Sequence, residues 1–207
     1  MNPATQRFIV NGPAGAIEAL RDLPTGPARG VAVICHPHPL FGGTMDNKVV
    51  QTLARAFVQC GWEAVRFNFR GVGASTGQYD EGRGEAADLH ATVEQCAGAG
   101  ALALAGFSFG SYVTCVEVSA IAGSRAIEKI VLVGTATGRF AVPPLPADLH
   151  ERSLVVHGEA DDTVALASVM DWARPQTLPV TVVPGGGHFF HGQLPLLKSL
   201  VVRHLMA

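Results

Sequence analysis

Three side chains of this sequence have the types that nucleophilic catalysis needs. A serine hydroxyl is a weak nucleophile at neutral pH, and it needs a histidine to take its proton. The histidine needs a carboxylate on its other ring nitrogen, which fixes the tautomer and stabilises the imidazolium. We predict that Ser108 is the nucleophile, His188 the general base and then the general acid, and Asp161 the orienting carboxylate.

Ser108 lies in the segment GFSFG, residues 106–110, which fits the pattern G-x-S-x-G. A short apolar run at residues 101–105 precedes the segment, and residues 111–121 after it are enough for a helix. A strand, a sharp turn that carries the serine, and a helix together make a nucleophile elbow. Glycines fit there because side chains would collide with the neighbouring strand and helix. An ordinary glycine-rich turn is the alternative interpretation.

The predicted base and acid each have neighbours of similar chemistry. His188 directly follows three glycines, in a turn that can reach back to the serine. His191 is expected at the start of the last helix, in a structural role. Glu159 and Asp162 are the alternatives to Asp161 as the orienting carboxylate, and Asp162 is predicted to be the N-cap of a helix that begins at residue 163.

Acyl chemistry also needs N–H donors that point at the developing oxyanion. One donor should be the backbone N–H of Phe109, and the other should come from the loop HPHPLFGG at residues 36–43. The two prolines of this loop have no N–H, so His38, Leu40 or Phe41 remains, and we favour Leu40. The predicted substrate pocket contains His38, Phe41 and Phe107.

Other polar motifs are interpreted as structural. His36 and His38 could both bind Zn²⁺, but a zinc site needs a third ligand, which no H-E-x-x-H motif or Cys/His cluster supplies, so we predict no metal. The glycine-rich loop at residues 71–77 lacks the G-x-G-x-x-G pattern and the G-K-[ST] ending of phosphate-binding loops, so we expect a tight turn beside the site. Arg70 and Asp80 are predicted to be structural partners rather than catalysts.

The composition indicates a folded protein with a well-buried interior. Of 207 residues, 48% are hydrophobic and 15% charged, which excludes disorder and fits one domain over residues 1–207. The net charge of −2 and the lack of Lys/Arg runs argue against nucleic acid or an anionic membrane as a partner. The apolar runs are far shorter than the ~20 residues that span a bilayer. With no signal-peptide core and four widely spaced cysteines, we expect a cytoplasmic protein whose cysteines are reduced and buried.

Strands and helices are predicted to alternate after a first pair of strands. Strands are predicted at residues 7–10, 16–22, 30–36, 62–69, 101–105, 127–134, 153–157 and 180–184. Helices are predicted at residues 47–60, with Asp46 as N-cap, 84–95, 111–121, 163–173 and 194–205. This order predicts the α/β class: a doubly wound, mostly parallel sheet flanked by helices, with antiparallel N-terminal strands. Ligands bind such a sheet at the carboxyl ends of its strands, where all the predicted site segments lie.

Taken together, these segments resemble the α/β-hydrolase superfamily over nearly the whole chain. The order serine, aspartate, histidine is the order of that superfamily, and its acid usually lies where Asp161 does, three residues after Gly158. Within it, the motif HPHPLFGGTMDNKVV at residues 36–50, with RFNFRGVGAS at residues 66–75, resembles a group of small, lidless bacterial hydrolases. That group is similar to dienelactone hydrolases, which use a cysteine where this chain has Ser108, and to the catalytic core of some acyl peptidases.

The resemblance implies an open site. Many α/β-hydrolases insert a helical cap after the strand that is predicted to end near residue 134. Only residues 135–152 lie there in this chain, too few for a cap domain, so we expect a shallow site that suits short esters.

We therefore predict a serine hydrolase that cleaves small carboxyl esters through an acyl-enzyme intermediate. No cofactor is expected, the expected partner is a small-molecule ester, and the protein is expected to be a monomer or homodimer. An acyltransferase, a thioesterase or a peptidase with the same three residues is the alternative enzyme. A non-catalytic ligand-binding scaffold and a metallohydrolase are the alternatives of a different class. The substrate itself does not follow from the sequence, because specificity depends on the shape of the pocket.

Overall fold

The computed structural model describes residues 5–207, which form one eight-stranded sheet flanked by five α-helices. The strands are β1 (Thr5–Gly12), β2 (Gly15–Asp22), β3 (Val31–Cys35), β4 (Glu63–Phe67), β5 (Leu102–Phe107), β6 (Ile127–Val133), β7 (Ser153–Gly158) and β8 (Val180–Val183). The helices are α1 (Lys48–Gln59), α2 (Arg83–Ala97), α3 (Phe109–Ile121), α4 (Leu166–Ala173) and α5 (Leu194–Met206). Every predicted strand and helix is present. Residues 1–4 of the predicted domain lie outside the described residues.

The order of the strands across the sheet is β1-β2-β4-β3-β5-β6-β7-β8. The pairs β1–β2 and β2–β4 are antiparallel, and all the other neighbouring strands are parallel. The inner strands β3 and β5 are apolar throughout, as expected for parallel strands that are covered by helices on both faces. The predicted fold class, including the antiparallel N-terminal strands, is confirmed.

The side chains of the inner strands alternate between two cores. Helices α2, α3 and α4 pack on one face of the sheet, and α1 and α5 pack on the other. In β3, Val33 and Cys35 point to the first core, whereas Ala32 and Ile34 point to the second. The same alternation sends Phe107, the last residue of β5, into the core beneath α1 and α5.

Two helices have N-caps other than the predicted ones. The N-cap of α1 is Asn47, whose side chain accepts the N–H of Val49, and not Asp46. Helix α4 begins at Leu166 rather than at residue 163, and its N-cap position is Ala165 rather than Asp162. In the preceding turn the carboxylate of Asp161 accepts the N–H groups of Thr163 and Val164, so the N–H of Val164 that an Asp162 cap would have accepted is already occupied.

Residues 134–152, between β6 and β7, contain one 3₁₀ turn, Ala147–Arg152, and no α-helix. The absence of a cap domain is therefore confirmed within the described residues.

Among residues 5–207, no helix is both long and apolar enough to cross a bilayer. Cys35, Cys60 and Cys115 are buried free thiols as predicted, but Cys96 is only half-buried, so the prediction of four buried cysteines is wrong there.

His36, directly after β3, is a buried histidine that uses both ring nitrogens. Its Nε2 accepts the backbone N–H of Phe69 at 3.0 Å, so the neutral ring carries its hydrogen on Nδ1 and donates it to the carbonyl of Pro37 at 2.6 Å. The bond from Phe69 joins the end of β3 to the segment after β4, and the bond to Pro37 fixes the orientation of the ring. Burial lowers the pKa of His36 to about 4.

We expect acid to destabilise the protein partly through His36. Its pKa is about 4 in the folded state and 6.5 ordinarily, so between these values the unfolded chain binds a proton that the folded protein does not. The free energy of unfolding therefore falls as the pH drops from 6.5 towards 4, by up to about 3 kcal/mol for this group. Urea titrations should show a shallower fall for His36→Gln than for the wild type.

The matched control for this measurement is His191→Gln, which changes an exposed histidine. An equal pH slope for His36→Gln and the wild type would contradict the assignment of a buried neutral imidazole at residue 36.

Candidate active site

Ser108 lies between the last residue of β5 and the first residue of α3, in a strained backbone conformation. Its φ is 57° and its ψ is −118°, values that are uncommon for a residue with a Cβ. Such a conformation costs on the order of 1–3 kcal/mol and persists only where the surroundings enforce it. Here it places the hydroxyl beyond the carboxyl ends of the parallel strands, where ligands of such sheets bind.

The two glycines around Ser108 allow three backbone segments to come very close. A Cβ on Gly106 would lie 2.3 Å from the carbonyl oxygen of Gly110, in the first turn of α3. A Cβ on Gly110 would lie 2.4 Å from the carbonyl oxygen of Cys35 and 2.6 Å from that of His36. The elbow therefore requires glycine on both sides of the serine, for the steric reason that the sequence suggested.

A continuous chain of hydrogen bonds joins Ser108, His188 and Asp161. The distance from His188 Nε2 to Ser108 Oγ is 3.0 Å, and the distance from His188 Nδ1 to Asp161 Oδ2 is 2.7 Å. An ionised carboxylate only accepts, so Nδ1 carries the ring hydrogen and Nε2 accepts the hydroxyl of Ser108. All three side chains are buried, with exposed fractions of 7%, 3% and 9% in the same order. The structure thus brings together the three residues predicted from the sequence.

The carboxylate of Asp161 is fixed from two sides. Its Oδ1 accepts the backbone N–H groups of Thr163 at 2.9 Å and Val164 at 2.8 Å, while Oδ2 faces His188. Burial raises the pKa of Asp161, but the hydrogen bonds from His188 and from these N–H groups together lower it by more, so the pKa lies below its ordinary value. Asp161 is therefore ionised at neutral pH and is already oriented towards the histidine.

A further histidine, His157 in β7, supports the turn that holds Asp161. Its Nε2 lies 2.9 Å from the carbonyl oxygen of Val164 and 3.5 Å from Asp161 Oδ2. A carbonyl only accepts, so Nε2 carries the hydrogen, and Nδ1 is left buried without a partner among the described residues. Burial lowers the pKa of His157, which keeps the ring neutral. Sequence reasoning missed this residue, whose only signal is its position just before Gly158.

The alternatives for the acid and the base lie elsewhere. Glu159 is exposed, and its Oε2 accepts the N–H of Gly185 at 2.9 Å. Asp162 is exposed beside the hydroxyl of Thr163. His191 is exposed in the turn before α5, where its ring packs against that of Phe189. None of these side chains makes a hydrogen bond to His188 or Ser108 in the part of the chain that the structure describes.

The backbone N–H groups of Phe109 and His38, which both line the cleft at Ser108, have no acceptor among residues 5–207. The preferred second donor, Leu40, is corrected, because its N–H donates to His38 Nδ1 at 3.2 Å. The N–H of Phe41 is also occupied, by the carbonyl of His38 at 3.1 Å. Residues Pro39–Phe41 form a 3₁₀ turn that directs both groups back to His38. Of the three alternatives, only His38 keeps a free N–H.

Ser108 opens into a cleft of about 670 Å³. The cleft is lined by residues of the loops after β3, β6, β7 and β8 and by the start of α3; they are Pro37, His38, Phe41, Gly42, Gly43, Asn47, Phe109, Ala136, Gly138, Arg139, Phe140, Thr163, Val164, Ala165, Ser168, His188 and Phe189. The predicted pocket residues His38 and Phe41 are among them. Sequence reasoning missed Arg139 and Phe140, because nothing marks the connection after β6 as part of a site.

The prediction that Phe107 lines the pocket is wrong. Phe107 is completely buried on the far side of β5, and its ring lies beneath that of His188 with 4.9 Å between the ring centroids. The alternation of side chains along the strand turns Phe107 away from the cleft. It therefore supports the histidine from below instead of contacting a ligand.

The other polar residues singled out in the sequence form ion pairs beside the site. Arg70 contacts Asp88 through Nε at 3.0 Å and Nη2 at 2.8 Å, and it does not pair with Asp80. Asp80 pairs with Arg83 at 2.9 Å. Both residues are structural, as predicted, but with different partners.

Two solved structures resemble this chain over nearly its whole length. A solved structure from Xanthomonas campestris, described as an α/β serine hydrolase without a lid, is 34% identical to this chain, with a TM-score of 0.87, and the match covers 100% of this chain and 95% of that one. An α/β serine hydrolase homologue from Coxiella burnetii is 39% identical, with a TM-score of 0.84 and 97% of each chain covered. The chain therefore belongs to the α/β-hydrolase superfamily.

Other comparisons are less informative. An uncharacterized protein from Rickettsia prowazekii is 40% identical over 111 residues, which are 52% of this chain and 47% of that protein. The match thus spans about half the length of that curated relative. No protein-family model matches the chain.

We expect Gly110→Ala to destabilise the fold and displace Ser108. The new Cβ would meet carbonyl oxygens of Cys35 and His36, which are backbone atoms at the end of a central strand and cannot turn aside. Overpacking of this kind costs about 1–3 kcal/mol or more. Gly123→Ala is the matched control, because a Cβ there meets no atom within 4 Å. Chemical denaturation of both variants should show a loss for the first and a change within about 0.5 kcal/mol for the second.

Proposed function

We propose that this protein is a serine hydrolase that cleaves small carboxyl esters through an acyl-enzyme intermediate. The observation that carries the proposal is the unbroken chain from Ser108 Oγ through His188 to Asp161 Oδ2, with distances of 3.0 and 2.7 Å, at the base of a cleft. Membership of a superfamily that contains serine hydrolases supports the same reaction class. The catalytic roles of the three residues, and the preference for esters, are parts of this proposal.

In the first half-reaction, Ser108 Oγ attacks the carbonyl carbon of the ester while His188 Nε2 takes the hydroxyl proton. The carbonyl π electrons move to oxygen and give a tetrahedral oxyanion. The free N–H groups of Phe109 and His38 are the donors that we assign to this oxyanion. As the intermediate collapses, the bond from the carbonyl carbon to the alcohol oxygen breaks, and Nε2 gives its proton to the leaving oxygen.

In the second half-reaction, water replaces the alcohol. His188 Nε2 takes a proton from the water as its oxygen attacks the acyl carbon, and the bond to Ser108 Oγ then breaks with return of the proton to Oγ. The products are one carboxylic acid and one alcohol for each ester and water consumed. Asp161 remains ionised throughout and stabilises the imidazolium, which fits the lowered pKa of its carboxyl group.

The form of the cleft favours small substrates. The connection between β6 and β7 contributes only a short wall of residues 136–140, and Phe41 and Phe189 lie exposed at the rim. A long acyl chain needs an extended apolar surface to repay the cost of its ordering, and an open rim offers little of it. Short acyl groups are therefore the proposed substrates.

We expect a fluorophosphonate to label the protein covalently at Ser108. The reagent mimics the tetrahedral intermediate and reacts only with an activated serine, so Ser108→Ala should lose the label while retaining the fold. Intact-mass measurement gives the stoichiometry, and circular dichroism checks that the variant is folded. A folded wild-type protein that takes up no label would overturn the proposed function.

We expect Asp161→Asn to lower kcat by about 10³–10⁴-fold, because an amide at residue 161 favours the wrong tautomer of His188. Asp162→Asn, the neighbouring exposed carboxylate, is the matched control and should stay within about threefold of the wild type. Kinetics with a short p-nitrophenyl ester measure both variants. Similar losses for the two variants would assign the orienting role to the turn rather than to Asp161.

A further inference from the structure

The cleft at Ser108 has one permanently charged side chain in its lining, that of Arg139. The other lining residues of the described chain are apolar, glycine, hydroxyl, amide or histidine residues, and no carboxylate is among them. Asp161 lies on the far side of His188 from Ser108, and its carboxylate accepts three hydrogen bonds there. The space that a substrate would occupy is therefore bounded by a lone cation.

Arg139 is held at this position by its backbone and by an aromatic ring. It lies in a turn after β6 in which the N–H groups of Arg139 and Phe140 both donate to the carbonyl of Ala136, at 3.3 and 3.1 Å. Its guanidinium carbon lies 5.1 Å from the centroid of the Phe41 ring, which fits a cation–π contact. Both neighbouring aromatic residues, Phe41 and Phe140, also line the cleft.

The guanidinium of Arg139 has no carboxylate partner among residues 5–207. Arg139 also lines a second groove with Tyr79 and Phe140, and the one carboxylate in the lining of that groove, Glu81, lies 3.5 Å from Arg83. An arginine that packs its face on a ring still presents N–H groups along its edge, in the fork that matches a carboxylate. Among the described residues, no acceptor makes a hydrogen bond to these N–H groups.

From this arrangement we infer that the substrates of the site carry a carboxylate, which Arg139 binds while the ester carbonyl lies at Ser108. The inference rests on the proposed function and narrows it from small esters to anionic ones, such as the monoester of a dicarboxylic acid or the ester of a hydroxy acid. Both kinds present an ester carbonyl and a separate carboxylate, and the test distinguishes them.

The ring of His38 lines the same cleft as Ser108 and Arg139 and adds no charge to it. Its Nδ1 accepts the N–H of Leu40, so the neutral ring carries its hydrogen on Nε2, 3.1 Å from the hydroxyl of Tyr79. Burial and the positive charge of Arg139 both lower the pKa of His38, so the ring adds no charge at neutral pH. The attraction for an anion then depends on Arg139 alone.

The experiment compares pairs of esters in which a carboxylate is present or is masked as its methyl ester, and it follows cleavage of the p-nitrophenyl or acetyl ester only. For an acyl-side carboxylate, the pair is mono-(p-nitrophenyl) adipate and its methyl ester; for an alcohol-side carboxylate, the pair is 4-acetoxybenzoate and its methyl ester. The readout is the ratio of kcat/KM for the anionic ester to that for the neutral one, in which a general loss of activity cancels. We expect Arg139→Gln to lower this ratio by about tenfold in one pair, the wild-type ratio to fall with added salt, and Arg139→Lys to restore part of it.

The matched control is Arg203→Gln, which removes the same charge from an exposed position in α5 outside the cleft and should leave both ratios unchanged. Ratios within about twofold of the wild type in Arg139→Gln, for both pairs, would overturn the inference. Turnover of the neutral esters in that case would leave the proposed hydrolase function intact. Failure of the wild type to hydrolyse either member of either pair would count against the proposed function and against the inference that rests on it.

Discussion

The site depends on the very close approach of three backbone segments: the end of β3, the end of β5 and the first turn of α3. Without a Cβ at Gly106 and Gly110, α3 begins directly against the sheet, and Ser108 is forced into its positive φ. The same approach leaves the N–H of Phe109 at the helix start, beside the loop that carries the free N–H of His38. The position of the nucleophile and that of the proposed donor at Phe109 are therefore consequences of one steric feature.

Much of the framework could be predicted because strong physical signals specify it. Continuous apolar runs predict parallel strands that are covered on both faces, and Ser108, Asp161 and His188 each follow such a run. Since the carboxyl ends of parallel strands meet at one edge, three residues up to 80 positions apart were expected together, and the distances of 3.0 and 2.7 Å agree.

The details that failed depend on competition between neighbouring groups, which a sequence does not resolve. Asp162 was expected to cap a helix, but the buried carboxylate of Asp161 accepts the N–H groups of Thr163 and Val164, and the helix begins only at Leu166. Leu40 was expected to offer a free N–H, but the His38 side chain accepts it. In both cases a side chain one or two residues away satisfies a backbone donor, and several such pairings are compatible with the same sequence.

The absence of a cap raises the question of how the site keeps water from the reacting groups. The buried chain from Ser108 to Asp161 shows that the loops themselves provide much of this shielding: less than a tenth of each of its three side chains is exposed. Phe107 covers the imidazole from below, and Phe189 packs edge-on against it at 5.1 Å. The cleft in front of Ser108 is the side from which solvent reaches these described residues. The two charges thus lie at different depths. The carboxylate of Asp161 is hydrogen-bonded in the interior, and the guanidinium of Arg139, which has no carboxylate partner among residues 5–207, lies at the open rim. In that position Arg139 can attract the inferred anionic substrate from water without perturbing the proposed proton transfer behind it.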